Sequence, residues 1–277
     1  MTATDPGALH NFQLRGSVPM GSEQHLVPVI FEPWARRMVA AAAVNDDDRV
    51  LDLACGTGII SRTVADQPGW AGSLVAIDIN PAMLEVCQQT AVTTGVTVDT
   101  HEAAAEALPL PDAYFDVAVC QFALMFFDDP VAAVAEMARV LKPGGRVALS
   151  VFRGLMHCPG YDHFMRAVRQ HVGEDAATMV ASPFSFDDPD RVRSLLLHAG
   201  FTNIDLRIEV DLERYPDPSE MVRMEVESTP LAPLFHQLTP QTVDALVQTL
   251  ATDLADHTDD GGIAFPAQAW IATATAA

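Results

Sequence analysis

The chain has 277 residues, 37 acids against 16 bases for a formal charge of −21, and 49% apolar residues. That length suits one large domain or a domain with a smaller appendage, and the apolar fraction excludes global disorder. The negative field excludes a nucleic-acid substrate in the absence of a basic patch, and the arginines (Arg36 and Arg37, Arg166, Arg169, Arg191, Arg193) are too scattered to form one.

Residues 1–20 carry Gly, Pro, Asn and Ser without periodicity and read as an arm or loop. From Ser22 to Val44, Leu26, Val29, Ile30, Trp34, Met38 and Ala41 recur at helical steps. The rhythm then alternates. "RVLDLAC" (49–55) reads as a strand, "GIISRTVADQ" (58–67) as a helix, and "SLVAIDI" (73–79) as a second strand. Asn80 as N-cap, Pro81 at the first turn and Gly95 as a stop delimit a helix over 80–95. Strands follow at 96–101, 114–121 and 146–152, with a helix at 129–141 closed by Lys142-Pro143-Gly144-Gly145. This alternation with short connections predicts an α/β domain whose largely parallel sheet is covered on both faces. Beyond Arg153 the pattern predicts helices at 160–180 and 189–200, a long strand at 201–215, two more helices at 218–229 and 239–256, and a last strand at 262–275.

Cys55, Cys87, Cys120 and Cys158 lie far apart without metal-ligand spacing, and no metal is expected. With no signal-peptide pattern at residue 1, the reading is a reduced, cytoplasmic protein. No apolar run reaches the ~18–20 residues of a membrane span; "MVAAAAV" (38–44) stops at Asn45 and Asp46.

The chemistry concentrates at "VLDLACGTGII" (50–60), an apolar run broken by Gly56 and Gly58. Glycines after the first strand of a parallel sheet give a tight turn and let a ligand lie against the backbone. Asp78 closes the second strand 20 residues after Gly58, where an acid accepts from a ribose diol. The series from Gly56 reads G-T-G-I-I-S, without the third small residue of a dinucleotide site, and Asp52 lies four residues before the turn. A carboxylate there repels pyrophosphate and suits an ammonium or sulfonium group, so a cationic nucleoside is favoured over a dinucleotide.

"VLDLACGTG", "VAIDINPAML", "ALPLPDAYFDVAVCQFALMFFDD" and "EMARVLKPGGRVALSVF" together resemble the ordered motifs of the class I S-adenosylmethionine-dependent methyltransferases, in particular the small-molecule enzymes related to the ubiquinone/menaquinone C-methyltransferases. The likeness covers about 45–153 closely and extends loosely to 201 through "SPFSFDDPDRVRSLLLHAGF". It implies a Rossmann-like fold with a seven-stranded, mostly parallel sheet, helices on both faces and a helical cap. An N-terminal arm and helix (1–44) would cover a cofactor core (45–153), and the remainder (154–277) would complete the sheet and add cap insertions at about 154–189 and 216–258. Carried over by residue, Asp52, Ala54, Gly56 and Gly58 surround the methionine part of S-adenosylmethionine. Asp78 takes the ribose hydroxyls, Ile79 and Met83 flank the adenine, and Gln121 faces the methyl group. The family often contacts the adenine amino group through a "GDAE-LP" acid; here "AAAEALP" (103–109) leaves Glu106 or the backbone at Ala104 and Ala105 for that contact.

Methyl transfer from a sulfonium needs alignment and water exclusion, with a general base only for an acceptor that loses a proton. His157, His163 and His25, in regions outside the core motifs, are the candidates for that base, with Glu23 beside His25. Phe122, Met125, Phe126 and Phe127, and the late residues Met221, Met224, Leu231, Leu234 and Phe235, are candidates to line an apolar acceptor pocket under a cap. The expected activity is methyl transfer to C, O or N of a small, largely apolar molecule such as a quinone precursor or secondary metabolite, by a monomer or homodimer. The rival expectations are a cyclase or regulatory protein on the same fold, and an NAD(P)-dependent oxidoreductase.

Overall fold

The computed structural model describes residues 18–277. The expected N-terminal arm lies largely outside these residues, and its last part is not a loop. Val18–Gly21 (α1), a π-helical segment Ser22–Phe31 and Glu32–Ala42 (α2) run on as one helical stretch. Pro28 lies inside the π segment, and wide helical turns of this kind are frequent at functional sites. At Ala43 the chain enters the left-handed region, φ 49°, and the helix stops.

The core alternates as its sequence pattern predicts: β1 (Arg49–Leu53), α3 (Ile59–Ala65), β2 (Ser73–Asp78), α4 (Pro81–Thr94), β3 (Asp99–Glu102), β4 (Phe115–Gln121), α5 (Pro130–Val140) and β5 (Leu141–Phe152). The Asn80 side chain caps α4 by accepting from Ala82 N, and Gly95 ends it at φ 73°. β5 begins five residues earlier than expected. Leu141 pairs with Phe115 and Arg146 with Val117, so the Lys142–Gly145 turn is an irregularity within the strand and not a break before it.

The second half contributes α6 (Pro159–His171), α7 (Glu174–Ala181), α8 (Pro189–His198), β6 (Thr202–Tyr215), α9 (Pro218–Ser228), the short α10 (Ala232–Phe235), α11 (Pro240–Asp253), a two-residue β7 (Thr258–Asp259) and β8 (Gly262–Thr275). Seven strands form the path β3-β2-β1-β4-β5-β8-β6, and β7 pairs with β8 as an eighth, minimal strand. The five strands β1–β5 pair in parallel, while β8 runs antiparallel to both β5 and β6. Between β1 and β4 the strand order reverses. Crevices at such a switch point, beyond the carboxyl ends of the strands, are where open α/β sheets bind ligands.

Pleating divides each central strand between two cores. Val50, Val117, Val119 and Ala148 face one cluster with α2, α3, α6, α7, α9 and α11. Leu51, Ala118, Cys120, Val147 and Leu149 face the other, with α5 and α8. Burial on both faces explains why these strands read as continuous apolar runs. All four cysteines are free and buried.

β6 behaves differently. Ile208, Val210 and Leu212 are 44%, 50% and 59% exposed, whereas Glu213 and Tyr215 on the opposite face are completely buried. The apolar stripe packs through Ile204 and Leu206 near α8 and then runs past the covering helices. Under the first cluster of helices the same strand buries a carboxylate and a phenol.

Candidate active site

β1 ends at Leu53, and the chain turns through two residues with positive φ, Ala54 at 55° and Gly56 at 54°, before Gly58 at 85° opens α3. At Gly56 a Cβ would meet nothing within 4 Å, so the backbone there borders open space; at Gly58 it would lie 2.5 Å from Cys87 Sγ on α4. The first glycine leaves its backbone accessible, and the second lets two helices approach. The Asp78 carboxylate ties the turn to β2: Oδ2 accepts from Gly56 N at 2.8 Å and Oδ1 from Asn80 N at 2.8 Å. A carboxylate has about four lone-pair positions, so these bonds leave capacity for a diol. Burial raises its pKa above the ordinary carboxylate value, against the backbone N–H bonds from Asn80, Gly56 and Ile79.

Asp52 is buried within β1, and its Oδ2 accepts from both Ser61 N (3.0 Å) and Ser61 Oγ (2.7 Å). Desolvation pushes its pKa up to about 6, opposed by the Ser61 bonds and by Arg62 and reinforced by the charge on Asp78. A cation placed here would reverse that shift. At the end of β4, Gln121 donates from Nε2 to Phe31 O at 3.0 Å, while its buried Oε1 has no partner among the described residues. An orphaned carbonyl in a cavity wall costs about 1–3 kcal/mol unless a donor comes to it.

These groups surround a cavity of about 240 Å³. Of the ten residues expected to hold the cofactor, Asp52, Ala54, Gly56, Asp78, Ile79, Met83, Ala104, Ala105 and Gln121 line it. Gly58 does not; its part is the helix approach just described. Glu106 and Asp128 also line the cavity, so acids border it although Ala104 stands at the acid position of "GDAE-LP". Glu106 Oε1 accepts from Asp129 N at 3.2 Å.

A second cavity of about 200 Å³ adjoins the first, and the two share Ser22, Phe31, Met83, Phe122 and Phe126. Its wall includes Phe152, which stacks on Phe122 at 3.8 Å between centroids and 5° between planes. Trp34 meets both rings edge-on, at 5.4 and 6.3 Å. Phe122, at φ 52°, is a second non-glycine residue in the left-handed region at a strand end facing the cavities. Such strain, about 1–3 kcal/mol each, concentrates at ligand sites. Ser228 at the end of α9 and Thr229, Pro230 and Leu231 after it close the wall. Met221, Met224 and Phe235 are packed in the core instead of lining the cavity, and Phe127 lines the first cavity.

None of the three candidate histidines lines either cavity. His25 Nε2 lies 3.1 Å from Glu227, His163 Nδ1 lies 3.7 Å from Asp253, and His157 Nε2 is 2.9 Å from Arg153 Nη2. Helical phase explains the first: on the π segment, Ser22 and Leu26 face inward and His25 is turned toward α9. Glu23 binds Arg62 through both oxygens, at 2.8 and 3.0 Å.

A buried cluster that no sequence motif marks borders the second cavity. Tyr161 Oη donates to Glu213 Oε2 at 2.8 Å, Tyr215 Oη donates to Glu225 Oε1 at 3.1 Å, and the two hydroxyls are 3.0 Å apart. Burial pushes Glu213 up to about 8 and Glu225 to about 7, against the tyrosine hydrogen bonds. Tyr161 and Glu225 line the cavity. One signal was available: Met221, Glu225 and Ser228 recur on one face of α9, so an acid occupies a core position of an amphipathic helix.

Among the described residues no group of three or more His, Cys, Asp or Glu could hold a metal, and no helix is long and apolar enough to cross a membrane. The cavity fits S-adenosylmethionine by three features: an open backbone at Gly56, a diol acceptor at Asp78, and an unsatisfied carbonyl at Gln121 in a wall that also includes Asp52. Comparison with known proteins agrees. Residues 51–149 match the family model described as a methyltransferase domain. The ubiquinone/menaquinone biosynthesis C-methyltransferase UbiE of Francisella philomiragia is 33% identical over 184 residues, covering 62% of this chain and 74% of the relative. A Bacillus halodurans protein described as a methyltransferase shares the fold at a TM-score of 0.58 and 20% identity, covering 87% of this chain and 97% of its own. A Haemonchus contortus phosphoethanolamine N-methyltransferase solved with S-adenosyl-L-methionine does so at 0.59 and 15%, over 99% of this chain and 60% of its own. The chain is an enzyme that belongs to the class I S-adenosylmethionine-dependent methyltransferases.

Proposed function

We infer that the enzyme methylates a small, largely apolar acceptor bound in the second cavity, by in-line displacement across the wall that the two cavities share. The observation that carries this reading is the sharing itself: Ser22, Phe31, Met83, Phe122 and Phe126 border both spaces, so an acceptor in one lies beside a donor in the other. S-adenosylmethionine supplies an electrophilic methyl group on a sulfonium. The residues of the chain orient and exclude water. Asp78 is placed to take the ribose hydroxyls, Asp52 and Gln121 Oε1 the cationic amino-acid end, and the Phe122–Phe152 stack offers a flat apolar wall to the acceptor.

Phenylalanine, leucine, valine and methionine side chains dominate the second wall, which favours a ring or chain with few polar groups. Burying about 150–200 Å² of such a molecule is worth roughly 4–5 kcal/mol before association costs, which corresponds to binding no tighter than about millimolar from this term alone. The relative named a quinone-biosynthesis C-methyltransferase makes a quinone precursor, methylated at a ring carbon, the first class to try.

The test is transfer of labelled methyl from S-adenosylmethionine to a panel of apolar hydroquinones, phenols and amines. Met179 lines only the second cavity, so Met179→Trp should abolish transfer while leaving S-adenosylhomocysteine affinity within about threefold. Equal loss of cofactor binding, or transfer that Met179→Trp leaves intact, would overturn the placement of the acceptor.

A further inference from the structure

We propose that Glu225 is the catalytic base of this enzyme, receiving a hydroxyl of the acceptor at the apolar cavity and taking its proton as the methyl group is transferred. The proposal rests on the reading of that cavity as the acceptor site and narrows the acceptor to an apolar molecule bearing a phenolic or enolic hydroxyl.

Glu225 lies on the inner face of α9 between Met221 and Ser228, and is itself 6% exposed at the cavity wall. Both tyrosine hydroxyls reach its Oε1, Tyr215 at 3.1 Å and Tyr161 at 3.4 Å. Among the described residues Oε2 forms no hydrogen bond, and neither Glu225 nor Glu213 forms an ion pair. A carboxylate without a counter-ion in an apolar wall is costly unless a proton or a donor reaches it. A hydroxyl on an otherwise apolar acceptor supplies that donor. The groups facing Glu225 are Tyr161 from α6 and Glu213 and Tyr215 from β6. Other charges on the packed elements are engaged elsewhere: Glu23 with Arg62, His25 and Arg223 with Glu227, Asp253 near His163. Glu213 Oε1 is buried and also unpartnered, and burial raises both carboxyls above the ordinary carboxylate range. Of the two, Glu225 is the one that borders the cavity, where an acceptor can reach it.

The step balances. The acceptor O–H breaks and its proton goes to Glu225. The electron pair left on the acceptor forms the new bond to the methyl carbon, and the methyl–sulfur bond breaks with its pair going to sulfur, giving a neutral thioether. If oxygen attacks, the product is an ether. If the conjugated carbon attacks, the dienone formed moves the proton of that carbon to oxygen. One proton leaves per methyl group in either case, and no oxidant or reductant is needed.

The test is calorimetric binding of 1-naphthol and naphthalene, which differ only in the hydroxyl, to the S-adenosylhomocysteine complex at pH 6 and pH 8. Wild type should prefer 1-naphthol by roughly 10- to 100-fold at pH 8, and by several-fold less at pH 6, where the carboxylate is protonated. Glu225→Gln should lose most of the preference and its pH dependence while still binding S-adenosylhomocysteine. Equal binding of the two probes, or a wild-type preference that does not change with pH, overturns the role of Glu225 without the variant. Binding of neither probe overturns the reading of the cavity itself.

Discussion

Asp52 shows at the scale of one residue how binding and stability oppose each other. Its pKa rises from 3.8 to about 6 because it is buried, so the stability it contributes is complete below about 4 and is lost as pH rises through about 6. The ionised form that weakens the fold is the form that attracts a sulfonium or ammonium group. Affinity for S-adenosylmethionine, measured by titration calorimetry, should therefore fall by up to about tenfold per pH unit below 6, with Asp78 acting in the same direction. Asp52→Asn keeps an oxygen for both Ser61 bonds. At pH 8 it should raise the Tm of the ligand-free protein by an increment worth about 1–3 kcal/mol and weaken cofactor binding at least tenfold. Gly58 belongs to the fold more than to the ligand: Gly58→Ala meets both a φ of 85° and Cys87 Sγ, and should lower stability by about 2–4 kcal/mol in urea titration. Asp52, Gly56, Gly58 and Asp78 were legible in the sequence because a tight turn, a strand-end acid and their spacing are local features, whereas Ala54, Ile79, Met83, Ala104, Ala105 and Gln121 followed only from the family resemblance. Glu225 and Glu213 were legible in neither way, since their meaning depends on which face of an element is covered.

Among the elements, β6 and the N-terminal helix account for what the pattern left out. The alternation Ile208, Val210, Leu212 reads as a core stripe, yet the helical cover ends before it, and the opposite face carries the buried Glu213 and Tyr215. A period of two marks two faces and cannot say which neighbour arrives. The three histidines failed to reach the cavities for a similar reason: helical phase and partner acids, not proximity in sequence, decide where they point. Over the N-terminal helix the apolar periodicity marks a helix, but the π geometry of Ser22–Phe31 leaves no signal in it. This segment is held over the site by Glu23 with Arg62, whose Nη1 also donates to Thr57 O in the glycine turn and to Thr90 Oγ1 on α4. The pair is only 12% and 18% exposed at its side chains. Removing one partner of so enclosed a pair costs about 3 kcal/mol. Arg62→Ala should thus lower Tm and weaken S-adenosylhomocysteine binding by roughly tenfold or more, since it loosens both the turn and the segment above it. Fluorescence and calorimetry on the same variant separate the two effects.

The molecule as a whole carries an excess of acid that its fold does not neutralise. Besides the formal −21, Asp52, Glu225 and Glu213 hold pKa values of about 6, 7 and 8 through burial. Each contributes stability below the ordinary carboxylate range and loses it as pH passes its folded value. The unfolded chain ionises them all by pH 6, so the folded state alone carries the cost above it. Stability should decline by about 3–6 kcal/mol between pH 6 and pH 8.5, seen as a Tm lower by about 5–15 °C in calorimetric scans. Ligand should offset part of this loss, because a bound cation favours the ionised form of Asp52. Fold class was accessible at this scale from the alternation of elements; the strand order β3-β2-β1-β4-β5-β8-β6 was not, because alternation does not say which strands pair. The eighth strand was too short to register, and the second cavity joins residues from positions 22 to 231, a grouping only the tertiary structure makes.

A crystal structure with S-adenosylhomocysteine bound tests the central arrangement most directly. The account predicts the ribose at Asp78, the amino-acid end at Gln121 Oε1 and Asp52, and the sulfur directed at the wall of Phe31, Met83, Phe122 and Phe126 with the second cavity beyond it. A sulfur directed away from that wall, or a ligand seated outside the cavity at Gly56, would contradict it.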